Sequence, residues 1–379
     1  MLLGATAALA ATFTNPIGPG NDPWAFRWQG QYYLCLSNKP NVVVAKAAAL
    51  QDLAKAPRAK VWTPPATGAW SKEPWAPELH YLDGKWYIYV AADGGDNFDH
   101  RIYVLEGTTQ NPQDPFVFKG KISAPTDRWA IDASVLTVRG KNYLIWSGWK
   151  DTVNMRQNLY IAPMSNPWTL SGERALISTP DFAWEKQGGS PAVNEGPEAL
   201  YHGQDVFIIY SASGSWSDYY CLGRLRLTGS DPMDPASWKK HDKAVFSPTD
   251  KVFGPGHCSF VKSPDSTEDW IVYHAAVTSG AGWNRNLRIQ KFTWNPDGSP
   301  DFGTPVPEGV TLEIPSENGM GLLMHEGARG PVPFGGTAGG GVAGAGGATP
   351  GYPQDYRPGS EWLTQSGQNL LGRWMLPAP

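Results

Sequence analysis

GKWYIYVA, residues 84–91, sets a Gly-polar turn ahead of a run that is apolar throughout and opens on an aromatic. Such a run reads as a strand entered through a hairpin. The same pattern of an aromatic, then Ile or Leu, then two strand-like residues and a small or polar one occurs four more times: YLCLS from Tyr33, YLIWS from Tyr143, FIIYS from Phe207 and WIVYH from Trp270. Gly30-Gln31, Gly140-Lys141 and Gly203-Gln204 provide the turn in three of these, and the longer SPDSTED, residues 263–269, does so in the last. A repeat with room for about four strands, used five times, predicts an all-β five-bladed β-propeller. A sandwich, whose strands are spaced more closely and lack this self-similarity, is the alternative.

Counting back from each aromatic brings a polar residue to nearly the same phase. Asp22 lies 11 positions before Tyr33, Glu78 9 before Tyr87, Asp132 11 before Tyr143, Glu195 12 before Phe207 and His257 13 before Trp270. Equivalent positions on the innermost strands of a propeller converge on its axis, so four carboxylates and an imidazole are expected in one cavity. Each local sequence taken alone, NDPW, APELH, AIDAS, NEGPE or PGHCS, is also an ordinary turn signal. Their shared phase is what points to a site.

Composition limits what that site handles. Only 17% of the 379 residues are charged, 31 basic against 35 acidic, which leaves no basic surface for a nucleic acid and suggests a neutral ligand. Eighteen tryptophans suit both a β-protein core and the apolar faces of sugars. Cys35, Cys221 and Cys258 are too scattered for a metal site and too few for a disulfide framework. No apolar run reaches the ~18 residues that span a bilayer. Converging carboxylates around a neutral ligand suggest glycoside hydrolysis, in which one carboxyl protonates the leaving oxygen and another acts on water or on the anomeric carbon.

The segments NDPWAF, WAPELHYLDGKWYIYVAA, WAIDASVL, VNEGPEAL, YSAS, DPASWKK, FGPGHCSF and RIQKFTWNPDGSPDFG occur in order over residues 12 to 310. In them the chain resembles glycoside hydrolase family 43, in particular its extracellular exo-acting alpha-L-arabinofuranosidases. The resemblance implies an inverting five-bladed enzyme that releases terminal L-arabinofuranose from arabinan or arabinoxylan. It implies Asp22 as general base, Asp132 as the residue that orients the acid and raises its pKa, and Glu195 as general acid. His257 is implied as an axial histidine that can hold a structural calcium ion or a water cluster, and no cofactor is required. Arg288 is implied as the arginine near the catalytic carboxyls, with Arg285 as the competing choice. A beta-xylosidase or an endo-arabinanase on the same triad is the alternative activity, and a non-catalytic carbohydrate-binding propeller is the alternative class.

Other residues carry weaker expectations. Trp75, Trp24 and Trp146 are candidates to line the sugar site, with core packing as the competing role, and Glu78 and His80 are expected to back the catalytic residues. Glu198 is expected at a strand edge or on the rim. Glu185, ten residues before Glu195, is the main rival for the acid, and Trp216 and Trp283 are placed on loops over the cleft. Residues 1–11, with Ala8-Leu9-Ala10, resemble the end of a secretory signal and predict export. Residues 12–330 form the catalytic domain, and residues 331–379 read as a Gly-rich linker and a disordered tail. A monomer acting on arabinose-containing plant polysaccharides is expected.

Overall fold

The computed structural model describes residues 11–317, so residues 1–10 of the segment read as a leader, residues 318–330, and the segment read as a linker and tail lie outside the described residues. The described chain is all-β, with only short 3-10 turns as helix. It runs as five successive antiparallel meanders. The first comprises Trp24–Trp28, Gln31–Asn38, Asn41–Ala47 and Arg58–Trp62, and the second Lys72–Leu82, Lys85–Asp93, Arg101–Gly107 and Phe116–Ile122. The third is built on Ala130–Val138, Lys141–Gly148 and Arg156–Asn166, with Ala175–Ser178 at its edge. Ala192–His202, Asp205–Ala212, Cys221–Leu227 and Trp238–Lys240 form the fourth. The fifth takes Phe253–Lys262, Asp269–Ala276 and Arg285–Trp294, and its outer strand is Gly18–Pro19, from the other end of the chain.

The period of two along a strand explains why the five repeats read as continuously apolar. On the second strand of the first meander, Tyr33 and Cys35 pack against Trp86 and Ile88 of the second meander. Leu34 and Leu36, on the opposite face, pack against Val272 and Leu287 of the fifth. The same division recurs: Tyr87 and Tyr89 face Leu144 and Trp146, Ile145 faces Ile208, and Phe207 and Ile209 face Ile271 and Phe292. The core is therefore five apolar seams, each between neighbouring meanders, the fifth joining the last to the first. Each fully buried Leu, Ile or Phe there contributes roughly 1.5–3 kcal/mol.

Two of the expected sugar-site tryptophans belong to these seams. Trp24 is fully buried between the first and second meanders, and Trp146, on the face shared with Leu144, is buried between the second and third. Both are core residues, because the phase that seemed to bring them to the axis belongs to their neighbours. Ser147, on the opposite face of that strand, reaches the next meander, its Oγ donating to Asn194 O at 2.9 Å. The last residue of the repeat has this role elsewhere too. Ser37 Oγ donates to Pro74 O at 2.5 Å, Ser211 Oγ accepts the His257 N–H at 2.8 Å, and His274 Nδ1 accepts the Asp22 N–H at 2.7 Å.

Candidate active site

A left-handed residue recurs just before the first strand of the first meander and within the first five residues of that strand in the other four: Asp22 (φ 45°), Ala76 (45°), Asp132 (56°), Gly196 (51°) and His257 (44°). In the last four meanders the pairing register shifts around it, the mark of a β-bulge. Left-handed backbone costs a non-glycine residue roughly 1–2 kcal/mol, and its recurrence in all five meanders suits a site that needs side chains re-aimed. In the first four meanders this residue lies 11 positions before the repeat aromatic; in the fifth, the two extra positions come from the longer turn. Ala76, not Glu78, is thus the second member of the ring, and Glu195 precedes the fourth member by one residue.

Three of the predicted residues meet here. One ligand atom from each of Asp132, Glu195 and His257 lies within 4.8 Å of the other two. Asp22 joins them through its Oδ1, 3.4 Å from His257 Nδ1, 2.6 Å from His274 Nδ1 and 2.8 Å from Arg285 Nη1. Asp132 is 1% exposed, Glu195 7% and Asp22 9%, so what little opening the ring has to solvent lies on the Asp22 and Glu195 side. Gly196 lets the ring assemble. Besides its positive φ, a Cβ there would stand 3.0 Å from the His257 ring, and its N–H donates to Asp132 Oδ2 at 3.0 Å.

Electrostatics differentiate the carboxyls. Burial, aided by the Asp22 charge, raises the Glu195 carboxyl against the hydrogen bonds from Tyr220 and Ser215 and the Arg285 cation, and the balance leaves it at about 7. Burial also raises Asp132 well above the usual carboxylate range, with Glu195 and Asp22 adding repulsion against the single Gly196 N–H. Asp22 is raised by burial too, but Arg285 and His257 oppose the shift. Burial drives His257 down to about 3, so its imidazole is neutral. The arrangement therefore combines one carboxyl, Glu195, that titrates near neutrality with another, Asp22, that has a cation in contact.

The sequence expectation for the arginine needs correction. Arg288 donates to Asn286 Oδ1 and Val306 O, away from the ring, whereas Arg285 donates to Asp22 and to Ser215 O. The two are an odd number of positions apart on one strand, so they point to opposite faces. Glu78 is fully buried against His80 Nε2 at 2.9 Å and does not reach that opening. Glu198 is fully buried beside Ser134 and not on a rim. Glu185 is fully buried and accepts from Asn194, Tyr210, Lys240 and the Asp181 and Phe182 N–H groups, so it anchors structure. Trp75 is half-buried and stacks on His100 at 4.0 Å, with Ala91, Trp129, Ile131 and Trp149 as its apolar neighbours.

Sequence reading missed Tyr220 and His274. Tyr220 Oη donates to Glu195 Oε1 at 2.8 Å and its ring stacks on His274 at 5.6 Å. His274 had a signal: it ends the fifth repeat where the other four have Ser or Ala. Tyr220 lies at the end of the 213–220 loop, outside any periodic pattern. That loop is tied on both sides, by Trp216 Nε1 to Gly188 O at 2.7 Å and by Asp218 to Ser279 Oγ and Gly280 N at 2.5 and 2.8 Å. Trp283 Nε1 donates to Ser215 Oγ at 3.2 Å.

A family model described as Glycosyl hydrolases family 43 matches residues 13–300. An extracellular exo-alpha-(1->5)-L-arabinofuranosidase of Streptomyces avermitilis is 39% identical over 322 residues, covering 81% of this chain and 66% of that protein. The chain thus spans just under two thirds of that relative's length. A protein of the same description from Streptomyces chartreusis is 35% identical over 274 residues, covering 70% of this chain and 83% of its own. The crystal structure of an alpha-L-arabinofuranosidase from Lactobacillus brevis superposes with a TM-score of 0.74 at 35% identity, covering 79% of this chain and 98% of that one.

Proposed function

Because the chain belongs to glycosyl hydrolase family 43, we propose that it is an inverting, exo-acting alpha-L-arabinofuranosidase that releases terminal L-arabinofuranose from arabinan or arabinoxylan. The observation that carries this reading is the convergence of Asp22, Asp132 and Glu195 in one narrow ring, with Glu195 pushed up to about 7. In this reading the five meanders are the blades of a five-bladed propeller within a catalytic domain of residues 12–330. The apolar seam and the Gly18–Pro19 strand that join the fifth meander to the first support that closure.

Asp22 acts as general base, taking a proton from the water that attacks the anomeric carbon. Glu195 acts as general acid, giving its proton to the departing glycosidic oxygen. One C–O bond forms from water on the face opposite the one that breaks, so configuration inverts. Asp132 orients the acid through the Gly196 N–H and, when ionised, disfavours charge on Glu195. Trp75 forms one apolar wall for the terminal sugar. The tied 213–220 and 277–284 loops support a closed pocket and hence exo action.

Acid and base are both supplied by side chains, so the reaction requires no cofactor. A structural calcium beside His257 fits only as a hydrated ion: the cluster offers one imidazole and two carboxyls, one of them the proposed acid, against the roughly six to eight oxygens calcium takes. Such an ion would be held by His257 and water, and would add positive charge to the ring. The secreted location follows the same reading, supported by relatives described as extracellular.

Incubation with aryl glycosides of arabinofuranose and xylopyranose, and with linear arabinan, tests the proposal. It predicts turnover of the arabinofuranoside, and arabinose as the first product from arabinan. Preferential xylopyranoside cleavage, internal oligosaccharides as first products, or no turnover would each overturn it.

A further inference from the structure

Tyr220 is a fully buried phenol whose polar end meets the carboxyl proposed as the acid. Its ring lies flat on His274, whose Nδ1 accepts the Asp22 N–H, and Arg285, which donates to the Asp22 carboxylate, sits over the same ring with Cζ 5.5 Å from its centroid. The strand opposite makes way for it, since a Cβ at Gly256 would stand 2.4 Å from the ring. One aromatic plate thus touches the supports of the base while its hydroxyl holds the acid. Burial, together with the Glu195 and Asp22 charges, raises the phenol well above its usual range, so it remains a donor at any working pH.

A carboxyl oxygen that accepts a phenolic hydrogen bond cannot also present an O–H in the same direction. Resting on the reading of Glu195 as the acid, we propose that Tyr220 is a positioning residue that reserves Glu195 Oε1 as an acceptor and thereby directs the transferable proton to Oε2. Ser215, on the same loop, adds a second side-chain hydrogen bond to Glu195. The loop that walls the pocket therefore also fixes which oxygen delivers the proton. Asp132, Asp22, Arg285 and His257 also face Glu195, with Ser211 paired opposite it, and none of these lies on that loop.

The test compares Glu195→Ala, Tyr220→Phe and the double variant on two substrates. These are alpha-1,5-linked arabinobiose, whose leaving group needs the proton, and 4-nitrophenyl alpha-L-arabinofuranoside, whose leaving group hardly does. Tyr220→Phe keeps the stacked ring and should lower kcat on arabinobiose roughly tenfold, with KM little changed and the aryl glycoside nearly unaffected. In the Glu195→Ala background it should add nothing to the substrate contrast. Gly256→Ala, which keeps the phenol but displaces the ring, should give the same contrast and serves if Tyr220→Phe does not fold. If Glu195→Ala itself loses equally on both substrates, the acid assignment fails. If Glu195→Ala behaves as an acid variant while the Tyr220 and Gly256 variants lose equally on both substrates, or lose nothing, the Tyr220 proposal is overturned.

Discussion

Asp22 and Glu195 share a ring and a burial penalty, yet only Asp22 has a guanidinium in contact, at 2.8 Å. The sign of the pH dependence follows from that difference. The base must be ionised and the acid protonated, so kcat/KM should be bell-shaped, with the basic limb near the pH of about 7 at which Glu195 loses its proton. Arg285→Ala removes a cation that lowers Asp22. The acid limb should then move to higher pH by about one to three units, and the basic limb should rise by less, because the same cation also holds Glu195 down from farther away. A profile in which the acid limb stays in place would dissociate Arg285 from the base. Sequence could narrow the arginine to two positions but not choose between them, because the choice depends on which face of the strand turns inward. Tyr220 was illegible for a related reason: its place is set by a loop tied down by Trp216 and Asp218, and contacts of that kind leave no periodic trace.

The bulges decide what the elements present. Phase counting found Asp22 and Asp132 because both are the left-handed residues of their meanders, but it matched Glu78 and Glu195 to positions that Ala76 and Gly196 occupy. A bulge adds one residue to one strand, so a side chain can reach the ring from beside the expected position. Gly196→Ala should cost about 1–2 kcal/mol for left-handed backbone, plus the clash with His257, and should be read by urea unfolding. Glu185 gives the contrasting case. Five donors, one of them the Lys240 ammonium, converge on it, so Glu185→Ala should cost about 3–5 kcal/mol of stability. The folded fraction should keep its activity. Full stability with abolished turnover would instead make Glu185 the acid.

At the scale of the molecule, the repeat was legible because every second strand is buried on both faces, which forces aromatic and aliphatic residues into each of the five copies. The strand that joins the last meander to the first was not, since it is Gly18–Pro19, two residues with no strand signature that pair with a distant part of the chain. The central claim is that the proposed propeller brings Asp22 and Glu195 to opposite sides of one anomeric carbon, so that water attacks directly. Proton NMR of the first sugar released from an alpha-L-arabinofuranoside, recorded before the anomers equilibrate, tests it most directly. Beta-L-arabinofuranose is the expected initial product; alpha-L-arabinofuranose would mean retention through a covalent intermediate and would overturn the role given to Asp22.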